Sequence, residues 1–590
     1  MKKRLVSSLI LAAISLTSCS FSQLKVIEKD ISVYDIDTIQ SDGQLADAFQ
    51  TTVKAAFKEG EELIPYLTLK QYASLYESHF ASDVKSEITN YGYVTSWMVY
   101  KGEAPVFAAQ FSNVSKEIMI GGNLEAAYED DDDPRDLKAL NYGLKNDGKA
   151  LLIGGNGMLY YSYANYGISS FKYNEDRYYP LGLLDLTFTD SSSIYFTYNY
   201  KHIISTRDTD NYAEKYFYDE GTNYSFDTQM ESIANNAPIP SYLLKYNAGL
   251  FLYTMDNLYG LKDYKNIKSF SSYYKAKGFY NGLFSKDGSS RPQAYADALA
   301  ILDDGHTALV STNKAWGDSD FQRRRYGEAT RSRGMLKTTL EYHRTQAYNA
   351  YDEHNRVVPE KDILYSSDGK TALFSFDSFA FGTSSQVFND DDTIKDSAKT
   401  YDTFFKLIDA FDRMKAKGGV ENVIIDISIN GGGVVGILIK LLALISKDNT
   451  GYFCFYNQAS GQASIYDSKV DSNGDGQYDV NDCYGNDFNF YILTSDYSYS
   501  CANAFPCLAQ YQKTAKIIGQ KSGGGECAVA VHYLPNSEYV YHSSNLHIGY
   551  VDEEKEMFHG FEGGATPDIP IEINQDFYSV DKLNNIIKNA

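Results

Sequence analysis

The feature that most constrains this chain is an alternation in its C-terminal half. Four short apolar runs, "TALFSF" (371–376), "NVIIDI" (422–427), "FNFYIL" (488–493) and "KIIG" (516–519), are each bounded by turn or helix signals. Between them lie helix-length segments such as "YDTFFKLIDAFDRMKAKG" (401–418) and "VGILIKLLALISK" (435–447). Strand and helix alternating in this way predict an α/β core built on a largely parallel sheet. In such sheets the reacting groups collect beyond the carboxyl ends of the strands, so the loops after these runs are where chemistry belongs.

Upstream the pattern is different. The chain has 590 residues, too many for one core, which implies roughly two to four domains. Residues 20–95 are mixed: "DGQLADAFQTTVKAAFKEG" (42–60) has helical periodicity, "LIPYLTLKQYASLYESHF" a short strand and a helix, and "YVTSWMVY" a strand. Strand-like runs dominate from 104 to 205, around an acidic segment "YEDDDDPRD" that reads as a solvated charge cluster. The 52 tyrosines, many in alternating stretches such as "SSIYFTYNY", favour sheet. The prolines of "NNAPIPSY" mark a linker, and a boundary near residue 235 follows. The expected organisation is an α+β, β-rich region over 20–235 and an α/β unit over 240–590. A net charge of −23 argues against a nucleic-acid partner and predicts an acidic surface.

The start of the chain carries a basic "MKKR", an apolar "LVSSLILAAISL" and a closing "LTSC". That arrangement resembles a bacterial lipoprotein signal over 1–19, in which Cys19 is lipidated and becomes the new N-terminus. It implies a lipid-anchored, extracytoplasmic protein of the cell membrane or outer membrane. Later runs are too short to span a bilayer. The other five cysteines, Cys454, Cys483, Cys501, Cys507 and Cys527, lack CxxC metal spacing.

Four segments carry candidate chemistry. "LDDGHTALV" sets His306 in a polar turn, and "NVIIDISINGGGVVG" ends a strand in three glycines. "YILTSDYSYSCANAF" places Ser500 where a helix begins, and "HGFEGGATPDIPI" supplies Glu562 and Asp568. A serine hydroxyl needs a base and an oxyanion hole to become a nucleophile. The glycine run, through Gly431 and Gly432, offers bare amides, and the N–H of Cys501 adds a donor at a helix start. The histidine takes the Ser500 proton, and a carboxylate holds the imidazole tautomer. Ser500 also suits a plain N-cap, and an isolated histidine in a turn is usually structural.

In combination these segments resemble peptidase family S41, which includes the C-terminal processing peptidases and a tricorn-like branch. "IIDISINGGG" is similar to that family's strand and N-x-G-G, "SYSCANAF" to its S-A-x-E, "DGHTALV" to its D-G-H-T and "EGGATPDIPI" to its G-V-x-P-D. The resemblance covers about residues 240–590 and implies a ClpP/crotonase-like core with a mixed sheet and helices. It implies a serine endopeptidase acting on peptide or protein substrates through an acyl-enzyme on Ser500, with no cofactor for catalysis. The base lysine of the processing branch falls at Gly525 of "IIGQKSGGGECAV", and Lys521 lies too early. The tricorn-like arrangement instead lands on His306 as base and Glu562 as its orienting carboxylate, with Glu526 and Asp568 as rivals. Asn503 stands where the S-A-x-E glutamate would be. The stretch between "DGHTALVS" and "TALFSF" is too short for a PDZ domain. The alternative is an inactive S41-like lipoprotein that binds a ligand or peptide.

A separate motif, "DSNGDGQYDVND" (471–482), lies in an expected insertion near 465–487. Asp471, Asn473, Asp475, Asp479 and Asp482 occupy positions 1, 3, 5, 9 and 12 of an EF-hand-like loop; Gly476 takes position 6 and Gln477 the carbonyl position 7. A single loop of this kind predicts a structural Ca²⁺.

Overall fold

The computed structural model describes residues 24–38, 43–128, 136–207, 217–219, 222–224, 234, 237–311, 316, 327–351, 362–535 and 539–589. Cys19 and most of the acidic run at 128–136 lie outside these residues, as do residues 235 and 236 of the expected linker.

The alternation at 371–519 becomes a six-stranded sheet. Its order is Ile363–Tyr365, Thr371–Ser375, Asn422–Asp426, Asn489–Thr494, Ala515–Gly519 and Ile569–Pro570. Every neighbouring pair is parallel except the first, which is antiparallel. Successive residues of these strands enter different cores. Val423, Ile425, Phe490 and Ile492 face helices Thr403–Lys417, Val435–Leu444 and Cys501–Gln512. Ile424, Tyr491 and Leu493 pack on the other face with Leu340, from the long helix Glu328–Tyr351, and with Leu583 of the C-terminal helix Val580–Asn589. A sheet covered on both faces requires strands apolar at every position, which is why these runs are continuous rather than alternating. The core is mixed α/β and the N-terminal region is β-rich, as expected.

A second sheet is organised by the long strand Tyr539–Asp552. It pairs antiparallel with Ala308–Ser311, Gly451–Asn457, Cys527–Tyr533 and Met557–Gly560. Beyond Gly451–Asn457 come Gln462–Val470 and then Leu144–Leu152, so a strand from the N-terminal region edges a sheet of the C-terminal one.

The N-terminal region forms a seven-stranded sheet and a five-stranded meander running from Val84–Asn90 to Met158–Ser162. One apolar core joins both sheets to helix Ser241–Asn257 and to Leu309, Cys527 and Val531. That core therefore runs across residue 235.

One expectation is overturned. Within 42–60, whose apolar spacing predicts a helix, the described residues form a short 3₁₀ turn Leu45–Ala48 and then the strand Phe49–Lys58. Most of the strand pairs antiparallel with Val26–Asp35, burying Val53, Ala55, Ala56 and Phe57. Cross-strand pairing and burial outweigh the weak helical preference of the alanines and lysines.

Candidate active site

The site forms where the two sheets meet. Strand Asn489–Thr494 runs into a short loop, and helix Cys501–Gln512 begins immediately after Ser500. Ser500 has φ 58° and ψ −126°, a conformation that L-residues other than glycine rarely adopt. Its side chain makes no N-cap hydrogen bond, which removes the plain capping role. Strain of this kind costs about 1–3 kcal/mol and persists only where the surroundings impose it. Here the Ser500 N–H donates to the Gly524 carbonyl at 3.0 Å, and Gly432 presses on the side chain. A Cβ on Gly432 would lie 2.6 Å from Ser500 Cβ and 3.0 Å from its Oγ.

The second sheet delivers the other groups. His306 precedes strand Ala308–Ser311, Glu562 follows Met557–Gly560, and both strands hang on Tyr539–Asp552. Tyr499 is the hub between them and Ser500. Its ring stands edge-on to His306 with centroids 5.0 Å apart, and the Arg333 guanidinium lies 4.9 Å from its centroid. Its hydroxyl accepts from the Gly305 N–H (3.1 Å) and donates to Asp304 Oδ1 (3.2 Å). Gly525 is held between these groups: a Cβ there would sit 2.6 Å from the Tyr499 ring and 3.0 Å from the Ser500 nitrogen. The Gly525 N–H donates to Glu562 Oε2 at 3.1 Å. Ser500, His306 and Glu562 are thus gathered around one tyrosine.

The hydrogen bonds of a triad are not closed. His306 Nδ1 is buried without a partner, and no hydrogen bond joins the Ser500 hydroxyl to the His306 ring among the described residues. The carboxylate most closely tied to the histidine turn is Asp304. Its Oδ1 accepts the His306 N–H (3.0 Å), while Oδ2 accepts the hydroxyls of Thr307 (2.6 Å), Ser543 (2.8 Å) and Tyr259 (3.2 Å). Asp304 and Tyr499 were not singled out from the sequence, although both lie inside quoted motifs; only their convergence in space shows what they hold.

The electrostatics follow from burial. Burial pushes the Asp304 carboxyl up, but the positive charge that His306 carries when protonated and the carboxyl's hydrogen-bond donors outweigh this and leave it lowered. Burial lowers His306, opposed by Asp304 and by the Cys527 backbone; the lowering favours the neutral imidazole, the form able to take a proton. Glu562 is pushed up to about 7, first by burial and then by the Asp304 charge. Burial raises the Cys501 thiol to about 12, leaving it a neutral donor 3.1 Å from the Gly433 carbonyl.

The oxyanion-hole candidates separate. The N–H groups of Gly431 and Cys501 meet no acceptor among the described residues. Gly432 differs: its N–H donates to Asn430 Oδ1 at 2.8 Å, so it supports the turn and presents no free donor. The remaining carboxylates are occupied. Asp568 accepts the Ile517 N–H (2.7 Å) and the Gln510 side chain (3.0 Å), and Glu526 Oε1 meets His547 Nδ1 at 2.7 Å. Lys521 is exposed, with its stem against Gly564. Asn503 bridges two segments, donating to the Phe561 carbonyl (3.0 Å) and accepting the Ser522 hydroxyl (2.6 Å).

In the loop 471–482, Asp471 accepts the N–H groups of Gly474, Asp475 and Gly476, and Asp482 those of Ser472, Asn473 and Asp479. Gly474 and Gly476 take positive φ. The loop's carboxylates are turned to its own backbone, and no three of them bring oxygens within 4.8 Å of one another. All five described cysteines are free and buried.

A serine at a strained strand-to-helix junction, with free amides beside it and a histidine nearby, makes this an α/β protein with a candidate serine-nucleophile site. Residues 388–571 match the model of peptidase family S41, and the S41-like character of the core rests on that match. Comparison with curated proteins gives no match. Among solved structures, a putative peptidase from Parabacteroides merdae aligns at 18% identity over 59% of this chain and 96% of its own, with a TM-score of 0.40. Mature CPAF aligns at 12% identity over 59% and 97%, with a TM-score of 0.35. A lipoprotein from Streptococcus agalactiae aligns at 12% identity over 60% and 98%, with a TM-score of 0.33. The family match supports a peptidase function.

Proposed function

We propose that this chain is a serine endopeptidase of the bacterial cell envelope, anchored by lipid on Cys19. Ser500 Oγ attacks the peptide carbonyl and passes its proton to His306; the oxyanion meets the amides of Cys501 and Gly431. His306 then protonates the leaving amine, and water hydrolyses the acyl-enzyme by the reverse proton path. Glu562, or Asp304 through the histidine turn, stabilises the imidazolium. The observation that carries the reading is the strained backbone of Ser500 against Gly432 and an unengaged helix-start amide.

The test is fluorophosphonate labelling of membranes from expressing cells. The probe marks wild type and fails on Ser500→Ala, while His306→Ala lowers labelling at least tenfold. Cys19→Ala shifts the labelled protein to the soluble fraction. Equal labelling of Ser500→Ala removes the assignment, and a Cys19→Ala protein that stays with membranes removes the anchor.

One observation favours a second reading. The unpartnered His306 Nδ1 and the missing Ser500–His306 bond suit an inactive, ligand-binding relative. Intact-mass analysis that finds a labelled Ser500 sets it aside.

We also propose that the loop 471–482 binds one Ca²⁺ as a structural ion, on the strength of its ligand spacing and its two buried end carboxylates, Asp471 and Asp482. Removing calcium with a chelator then lowers the melting temperature, and Asp482→Ala abolishes that difference. A chelator-insensitive wild type rules the ion out.

A further inference from the structure

Behind the candidate active site lies a second cluster with metal-ligand chemistry. Glu526, Cys527 and His547 each offer one ligand atom, all within 4.8 Å of one another, and no other three His, Cys, Asp or Glu side chains among the described residues converge so closely. The three are 8%, 2% and 4% exposed. Cys527 and His547 face each other across the paired strands Cys527–Tyr533 and Tyr539–Asp552, and Glu526 precedes the first strand. His547 Nδ1 lies 2.7 Å from Glu526 Oε1 and 3.6 Å from Cys527 Sγ. Cys527 Sγ is also 4.0 Å from His547 Nε2, so the thiol sits beside the ring, whereas a nucleophile–histidine–acid relay needs the nucleophile in line with the nitrogen opposite the acid.

We infer that Glu526, Cys527 and His547 form a site for a thiophilic divalent transition metal, Zn²⁺ foremost. A mixed thiolate, imidazole and carboxylate set selects zinc over calcium or magnesium. Zinc bonds of ~2.3 Å to sulfur and ~2.0 Å to nitrogen at a tetrahedral angle put S and N about 3.5 Å apart, close to the spacing of Cys527 and His547 found here. Metal entry requires the Glu526–His547 contact to open by about 0.6 Å, as the metal replaces the proton between Oε1 and Nδ1. It also requires the His547 ring to turn Nδ1 toward the thiol, because Cys527 Sγ lies beside the ring, 3.6 Å from Nδ1 and 4.0 Å from Nε2. Glu526 and His547 line a cavity of about 400 Å³ with Tyr456, Gln458, Glu556 and Phe558. It gives room for a water, or for Glu556, as the fourth ligand.

The site is wired to the proposed catalytic groups, and this part rests on the peptidase reading. Glu526 Oε2 accepts the Glu562 N–H at 2.6 Å, and the Glu526 N–H returns to Glu562 Oε2 at 3.1 Å. The Cys527 backbone also acts on the His306 ring, opposing the effect of burial on its basicity. Bound zinc pulls on both residues and slows acylation of Ser500.

The experiment uses the full mature chain, stripped of metal and carrying Ser500→Ala so that no turnover intervenes. Zn²⁺ titrated against a chromophoric chelator binds once per chain. Co²⁺ in its place gives a thiolate-to-metal charge-transfer band, which Cys527→Ser removes. His547→Gln weakens zinc at least tenfold, with circular dichroism confirming that each variant is folded. If Cys527→Ser does not fold, Glu526→Gln and His547→Gln carry the test. A folded protein that takes up no zinc, or whose cobalt spectrum lacks the thiolate band, overturns the site. A separate arm measures fluorophosphonate labelling with Ser500 intact: zinc slows it at least tenfold, and Cys527→Ser restores it. Zinc that binds without slowing the label leaves the metal site standing and removes only the coupling.

Discussion

At the scale of single residues, Ser500 carries the clearest trade between stability and chemistry. Its φ of 58° is imposed by the Gly524 carbonyl, the pressure of Gly432 and the helix that starts one residue later. A side chain there costs about 1–3 kcal/mol of strain, whereas glycine adopts the same backbone freely and loses only ~0.5–1 kcal/mol through the unfolded chain. Ser500→Gly is therefore expected to be more stable than Ser500→Ala by about 1 kcal/mol, with neither variant labelled by a fluorophosphonate. Urea denaturation of the pair decides it: a glycine variant weaker than the alanine one means that the backbone relaxes on substitution. The same contacts explain why Ser500, His306 and Glu562 stand out in the sequence as candidates while their connections do not. The motifs name the candidate groups, but the hydrogen-bond network through Asp304 and Tyr499 exists only once residues about two hundred positions apart meet.

At the scale of elements, legibility followed the source of each element's stability. The strands at 371–375, 422–426, 489–494 and 515–519 were readable because burial on both faces writes continuous apolar runs. Strand Phe49–Lys58 was not, since its pairing with Val26–Asp35 overrides a helical spacing. Helix Glu328–Tyr351 was not singled out either: Leu340 is fully buried, but most of the helix is exposed and its apolar stripe is thin. Paired strands also store a pH response. His532 on Cys527–Tyr533 and His542 on Tyr539–Asp552 stack with centroids 4.9 Å apart. His542 Nδ1 donates to the Ser543 carbonyl at 2.9 Å, while its Nε2 and both nitrogens of His532 are buried without partners. Burial lowers His542 to about 4, and burial with the neighbouring imidazole depresses His532 further. A folded histidine depressed below its unfolded value of ~6.5 binds fewer protons than the unfolded chain, so stability is full above that value and falls as pH drops toward 4. His542 alone is expected to remove about 2 kcal/mol between pH 7 and pH 5. Urea midpoints at the two pH values measure the slope, and His542→Leu flattens it even though its baseline is lower; an unchanged slope assigns the acid sensitivity elsewhere.

At the scale of the whole molecule, the division suggested by composition and the division made by packing differ. The proline-bearing segment near residue 235 looks like a hinge between two independent units. Yet Leu144–Leu152 pairs with Gln462–Val470 along its full length, from Leu144↔Val470 to Leu152↔Gln462. Lys440, buried in the second unit, places its ammonium 3.1 Å from the Ala139 carbonyl of the first. One apolar core joins the N-terminal sheets to Leu309, Cys527 and Val531, whose strands carry the candidate site. Most of Leu144–Leu152 is exposed, as an edge strand should be, so nothing in its composition announces a partner more than three hundred residues away. A fragment beginning at residue 237 would lose this edge, expose Gln462–Val470 as an unpaired template and open half of the shared core. Such a fragment is expected to aggregate when expressed alone. A protease site engineered near residue 235 gives the cleaner measurement, because the chain folds before it is cut. The nicked halves are expected to co-elute on size exclusion and to part only in denaturant; halves that separate in native buffer mean that the packing across residue 235 is too weak to make the N-terminal region part of the site's support.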